Sequence, residues 1–119
     1  MTLDNPLVKS INEGIQEKKG HKIVVADLRK IHTAPCHYFV IATGNSPQHV
    51  EAIADSVEEF ARKNAAEKPS AVAGLQNALW VAMDYGTAMV HIFVPDAREH
   101  YDIEHLWDDA HLFEIPELD

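Results

Sequence analysis

Between Arg98 and Trp107 the chain reads REHYDIEHLW, which brings two histidines, two glutamates and an aspartate into ten residues. These are the side chains that ligate zinc or exchange protons in catalysis. A protein zinc site needs at least three of them aimed at one point. On a helix turning about 100° per residue, His100 and His105 stand roughly 140° apart and cannot share an ion. His100 and Glu104 lie on one face, four residues apart, and His111 joins them if the helix continues. His91, on the preceding segment, is a further donor, but its neighbours Met89 and Phe93 place it in or beside the core. The competing reading is a packing helix. Ile103, Leu106, Trp107 and Ala110 form its inner arc, while Glu104, His105 and Asp108 face out. No metal and no cofactor is expected.

The segment TGNSPQH, residues 43–49, passes through Gly44 into a helix start whose free amides could hold an anion. A Gly-Ser turn of this kind also occurs in nucleotidyltransferases. Phosphoryl transfer would further require paired metal-binding carboxylates. The candidate strand LWVAMD offers only Asp84, and AMVHIFV has no acid before Asp96. No G-x-x-x-x-G-K-[ST] loop occurs. Cys36 and His37 are sequence neighbours, and neighbours on a strand point to opposite faces. With no nucleophile, base and oxyanion-donor set in sight, the chain is not expected to be an enzyme.

The elements that carry these residues follow from periodicity. Leu3, Leu7, Val8, Ile11 and Ile15 make one helical stripe behind Asn5-Pro6, and Gly20 follows Lys18-Lys19 as a stop. KIVVADL and HYFVIATG are short apolar runs and read as buried strands. NSPQHVEAIADSVEEFARKNAAEK reads as a helix capped by Ser46. Its stripe is Val50, Ile53, Ala54, Val57, Phe60 and Ala61, and Pro69 closes it. SAVAG is a candidate edge strand. LWVAMD and AMVHIFV form a hairpin about Tyr85-Gly86-Thr87, and REHYDIEHLW follows as the last helix. The expected order, α-β-β-α-(β)-β-β-α, is one α/β domain over residues 1–119 with a mixed sheet flanked by helices.

Of the 119 residues, ten are Lys or Arg and nineteen are Asp or Glu, so the net charge is −9. That balance points away from naked nucleic acid and toward a basic protein partner. No apolar run reaches the ~18 residues of a membrane span. One cysteine and no secretory leader suit a reducing cytoplasm.

Trp80, Asp84-Tyr85-Gly86, Val90-His91-Ile92-Phe93 and REHYDIEHLW together resemble the ribosomal silencing factor, or Iojap, family. IVVADL, YFVIATGNSPQHVEAIA and Ala73-Gly74 agree in order and spacing. The resemblance covers about residues 7–110 and leaves 111–119 as a short extension. It departs from the family pattern at His37, Ala73 and Thr87. It implies a nucleotidyltransferase-like fold without catalytic acids. It also implies a non-catalytic factor that binds the large ribosomal subunit through ribosomal protein L-fourteen, blocks subunit joining and represses translation. A nucleotidyltransferase-like enzyme or nucleotide binder is the alternative. The expected partner surface is Trp80, Asp84, Tyr85, His91, Arg98, Tyr101, Glu104 and Trp107, with a homodimer as a possible free form. Aromatic and Arg side chains suit such a surface because they bury much area and keep a polar handle.

Overall fold

A computed structural model describes residues 5–117. Asn5 caps the first helix, its Oδ1 accepting from the amides of Leu7 and Val8 at 3.0 and 3.1 Å. Helix α1, Pro6–Glu17, buries Leu7, Val8, Ile11 and Ile15. Leu3 lies outside the described residues. Strand β1, His21–Asp27, and strand β2, Tyr38–Thr43, follow. Helix α2, Pro47–Ala65, starts at Ser46, whose Oγ accepts from the His49 amide at 3.2 Å. Then come β3, Ala71–Ala73; β4, Trp80–Asp84; β5, Ala88–Phe93; α3, Pro95–Tyr101; and β6, His111–Ile115. A 3-10 turn, Ile103–His105, separates α3 from β6.

The six strands form one sheet in the order β3-β4-β5-β2-β1-β6. Only β2 and β5 run parallel; every other pair is antiparallel. Alternation along each strand divides the side chains between two faces. Ile23, Val25, Val40, Ala42, Val81, Met83, Val90 and Ile92 pack with α1 and α2 into the larger core. Ala26, Phe39, Ile41 and Phe93 point to the opposite face. Both long helices therefore lie on one side of the sheet.

The second face is covered by chain with little helix. Leu28, Ile31, Ala34 and Cys36 cover it from the β1–β2 connection, and Ala97, Ile103, Trp107 and Ala110 from the segment after β5. This cover stops short of β3 and β4, where Ala71 and Ala73 are exposed and Ala82 is half-buried.

Several expectations are corrected. The last helix does not run through REHYDIEHLW: it ends at Tyr101, and Asp102 takes a left-handed conformation at φ 45°. His100 and Glu104 therefore share no helical face. Leu106 points to solvent at 58% exposure instead of completing an inner arc, and Glu104 turns inward to Arg98. Helix α2 stops at Ala65, because Ala66 adopts φ 54° before Pro69 can end the helix. Residues 111–115 are a sixth strand on the free edge of β1. The left-handed residue closing α1 is Lys19 at φ 58° rather than Gly20. Gly20 is required for space, since a Cβ there would meet Ile15 Cγ2 at 2.4 Å.

Gly14 marks the closest approach of α1 and α2. An added Cβ would lie 2.8 Å from Val57 Cα and 3.0 Å from the Ser56 carbonyl oxygen. Ser56 Oγ donates to the Gly14 carbonyl at 2.7 Å. At an open helical position Gly→Ala gains about 1 kcal/mol. Here the backbone clash outweighs that gain. Gly14→Ala is expected to lower stability by about 1–3 kcal/mol, read as a reduced urea midpoint.

Candidate docking face

Arg98 comes from the last turn of α3 and is almost wholly satisfied inside the molecule. Its Nε and Nη2 donate to the two carboxylate oxygens of Glu104, each at 3.0 Å. Nη1 donates to Thr43 Oγ1 at 2.9 Å and to the Lys22 carbonyl. Lys22 sits at φ 50°, where the β1–β2 register shifts, so the irregular residue meets a cation on its carbonyl. The Arg98 and Glu104 side chains are only 10% and 14% exposed. Paired in this way they fix the path of the chain across the second face.

Aromatic rings pave that face. Trp80 stacks on Phe93 at 5.0 Å between centroids and lies 4.7 Å from Tyr101. Phe39 meets His91 at 4.7 Å and Trp107 at 5.3 Å. The Trp80 indole can only donate, and it gives its N–H to His91 Nδ1 at 3.1 Å. His91 is therefore neutral and carries its proton on Nε2, which is buried without a hydrogen-bond partner. Burial pushes the His91 pKa down to about 4.

The eight expected surface residues thus separate. Trp80, Asp84, Arg98, Tyr101, Glu104 and Trp107 all belong to the second face or its cover, but their accessibility differs widely. Tyr101 is half exposed, and Trp80 and Trp107 are half-buried. His91 is 5% exposed and supports Trp80 from beneath. Tyr85 packs into the helix-side core, where burial pushes its hydroxyl up to about 12. Asp84 shapes the hairpin turn, its Oδ1 accepting from the Gly86 amide at 2.8 Å. Leu75 and Leu79, each 46% exposed, were not singled out by the sequence reading. The signal was present as two leucines in GLQNALW, a stretch with no helical or strand period to bury them.

Geometry also decides the chemical candidates. At the start of α2, His49 Nδ1 accepts from the Asn45 amide at 2.8 Å, and Nε2 donates to the Lys18 carbonyl at 2.7 Å. The imidazole thereby occupies part of the turn that an anion would need. Cys36 is buried with its thiol pushed up by burial, and its Sγ donates to the Tyr38 carbonyl at 3.3 Å, while His37 is exposed. Among the described residues no three His, Cys, Asp or Glu side chains converge as a metal site. No helix among them is long and apolar enough to cross a membrane.

The described residues thus form an α/β domain: a mixed sheet with long helices on one side and an aromatic pad on the other. The family model described as ribosomal silencing factor during starvation matches residues 3–119. The Bacillus subtilis ribosomal silencing factor is 32% identical over 109 residues, covering 92% of this chain and 91% of that protein. The crystal structure of a Chromobacterium violaceum protein superimposes with a TM-score of 0.80 at 32% identity, covering 86% of this chain and 83% of that one. A mouse protein named mitochondrial assembly of ribosomal large subunit protein 1 is 29% identical over 72 residues. That match covers 59% of this chain and 32% of the mouse protein. The chain belongs to the ribosomal silencing factor family.

Two predictions follow from the buried polar groups. An ordinary histidine titrates near 6.5, and His91 in the fold titrates near 4. The unfolded chain therefore binds more protons between these values, and stability falls as pH drops through that window. Between pH 7.5 and 4.5 the native protein is expected to lose about 2 kcal/mol more than His91→Gln, measured by urea unfolding at both pH values. Arg98→Lys removes the two-pronged contact with Glu104 and cannot restore it with a point charge. It is expected to cost about 2–3 kcal/mol in the same assay.

Proposed function

We propose that this factor docks through its second sheet face on the large ribosomal subunit, using ribosomal protein L-fourteen as its contact. Held there, it obstructs joining of the small subunit and represses translation. The observation that carries this reading is the aromatic pad, where half-buried Trp80 and half-exposed Tyr101 lie in contact beside Phe93. Contiguous exposed apolar surface of this kind marks an interaction site. Trp and Tyr are also the residues that most often dominate interface energies. The titratable groups beneath and beside the pad support the reading from another direction. His91 is neutral and bound to Trp80, and Arg98 is committed to Glu104. Both serve the shape of the surface and are not poised to exchange protons with a substrate.

Family membership supports a regulatory role on the ribosome, and the name of the mouse relative points to the large subunit. The large subunit bears a basic protein surface in this reading, and an acidic factor would be steered toward it with salt-sensitive rates. The defining experiment mixes the protein with separated subunits and sediments them. Co-migration with the large subunit and fewer joined ribosomes are expected. Free protein at the top of the gradient with undiminished joining overturns the proposal. Tyr101→Ala is expected to weaken large-subunit binding at least about tenfold. Its melting temperature should stay within about 2 °C, because half of the side chain is already in water.

A further inference from the structure

The net charge of −9 is not spread over the molecule. Residues 5–94 contain nine acidic and nine basic side chains, so that part of the chain is neutral. Residues 95–117 contain eight acids against the single cation Arg98. This acidic segment runs from α3 across the second face and through β6. Its Arg is spent on Glu104, Asp102 is bonded to His105 and Glu117 to His21, while Asp108, Asp109 and Glu114 are exposed.

The same segment carries exposed apolar side chains. Leu106 is 58% exposed after the 3-10 turn, and Leu112 of β6 is 36% exposed. Leu112 pairs with Ala26 and Glu114 with Val24, so both stand on the second face by strand alternation. A groove of about 660 Å³ lies beside Glu114, walled by Val24 and Ile115, with Glu104 and Glu117 joined there by Lys22. Arg98 lines this groove as well, and Tyr101 of the aromatic pad ends the helix that carries it.

We infer that the Leu106–Leu112 strip with its acidic rim is a second docking surface, taking a lysine- or arginine-bearing segment of the ribosomal-protein partner. This rests on the docking reading above and adds the chemistry of the contact. An extended cationic segment fits because long basic side chains lay their methylene stems on apolar surface and carry the charge to a rim. Acids at Asp108, Asp109 and Glu114 would meet those charges at the edge of the contact, where they set association rate and salt dependence. The apolar pad near Trp80 supplies contact area, and the strip selects for positive charge.

The test compares two triple variants with the same change in charge. Asp108→Asn/Asp109→Asn/Glu114→Gln neutralises the strip; Glu13→Gln/Glu51→Gln/Glu58→Gln neutralises the helix side. Each is titrated against purified large subunits across a range of potassium chloride concentrations. The strip variant is expected to bind about tenfold more weakly at low salt, with a shallower salt dependence, and the helix variant within about twofold of the native protein. Equal behaviour of the two variants overturns the strip while leaving large-subunit docking intact. A second arm follows backbone amide shifts in the native protein as a short lysine-rich peptide is added. Shifts confined to residues 102–117 support the strip even if the native protein ignores large subunits, an outcome that would sink the docking reading alone. Shifts reproduced by magnesium chloride at equal ionic strength overturn it in favour of a simple cation site.

Discussion

The guanidinium of Arg98 is the contact on which the second face depends. It joins the end of α3, the 3-10 turn, the irregular start of β1 and the end of β2 through bonds to Glu104, Lys22 and Thr43. A charge this far from water would be costly alone; a two-pronged carboxylate and two further oxygen acceptors make it tolerable. The geometry is possible only because α3 ends early. Glu104 is six residues from Arg98, and on a continuous helix the two would point away from each other. The left-handed Asp102 reverses the chain and brings the carboxylate back. Ile103, Trp107 and Ala110 can then drop onto the sheet as a lid.

That lid gives the molecule its asymmetry. One sheet face has two long helices and a closed core; the other has short segments that cover β1, β2 and β5 and leave the β3–β4 side open. An open side with polar residues would need no explanation. Here it is bordered by Trp80 and Tyr101, and the indole is held in place by a buried imidazole. Ordering a large aromatic side chain before a partner arrives lowers the entropy lost on binding. The buried His91 Nε2–H without a partner has an energetic cost in the free protein, consistent with a residue kept for the surface it shapes.

How far the sequence could be read depends on whether the deciding interaction was local. Helix α2 was legible because Ser46-Pro47 and the Val50, Ile53, Val57 stripe lie within the element they define. The strands of the hairpin were legible for the same reason, with Gly86 at the turn. The break at Asp102 was not: no Gly or Pro marks it, and the stabilising partner of the turned chain includes oxygens more than fifty residues away. Reading REHYDIEHLW as one helix followed from applying a local period to a segment governed by distant contacts. Strand β6 falls in the stretch that reads as a short extension; its Phe113 and Ile115, two apart, both pack against the helix-side core. Of the candidate site, the aromatic anchors Trp80 and Tyr101 were legible by type. The inward turn of Tyr85 was fixed by its place beyond the end of β4, on the side of Val81 and Met83.

The same distinction separates binding from catalysis in this fold. A reaction site needs titratable groups that reach a substrate and change protonation without dismantling their surroundings. In this molecule His91, Arg98 and His49 are tied into their surroundings. Protonating His91 would oppose the Trp80 N–H with a second donor, and withdrawing Arg98 from Glu104 would release the lid. His49 is held between two backbone groups at the start of α2. Within REHYDIEHLW, Arg98 and Glu104 are therefore internal struts, whereas Glu99, His100, Asp102 and His105 are exposed. The shape of the second face is set by how firmly those struts hold it.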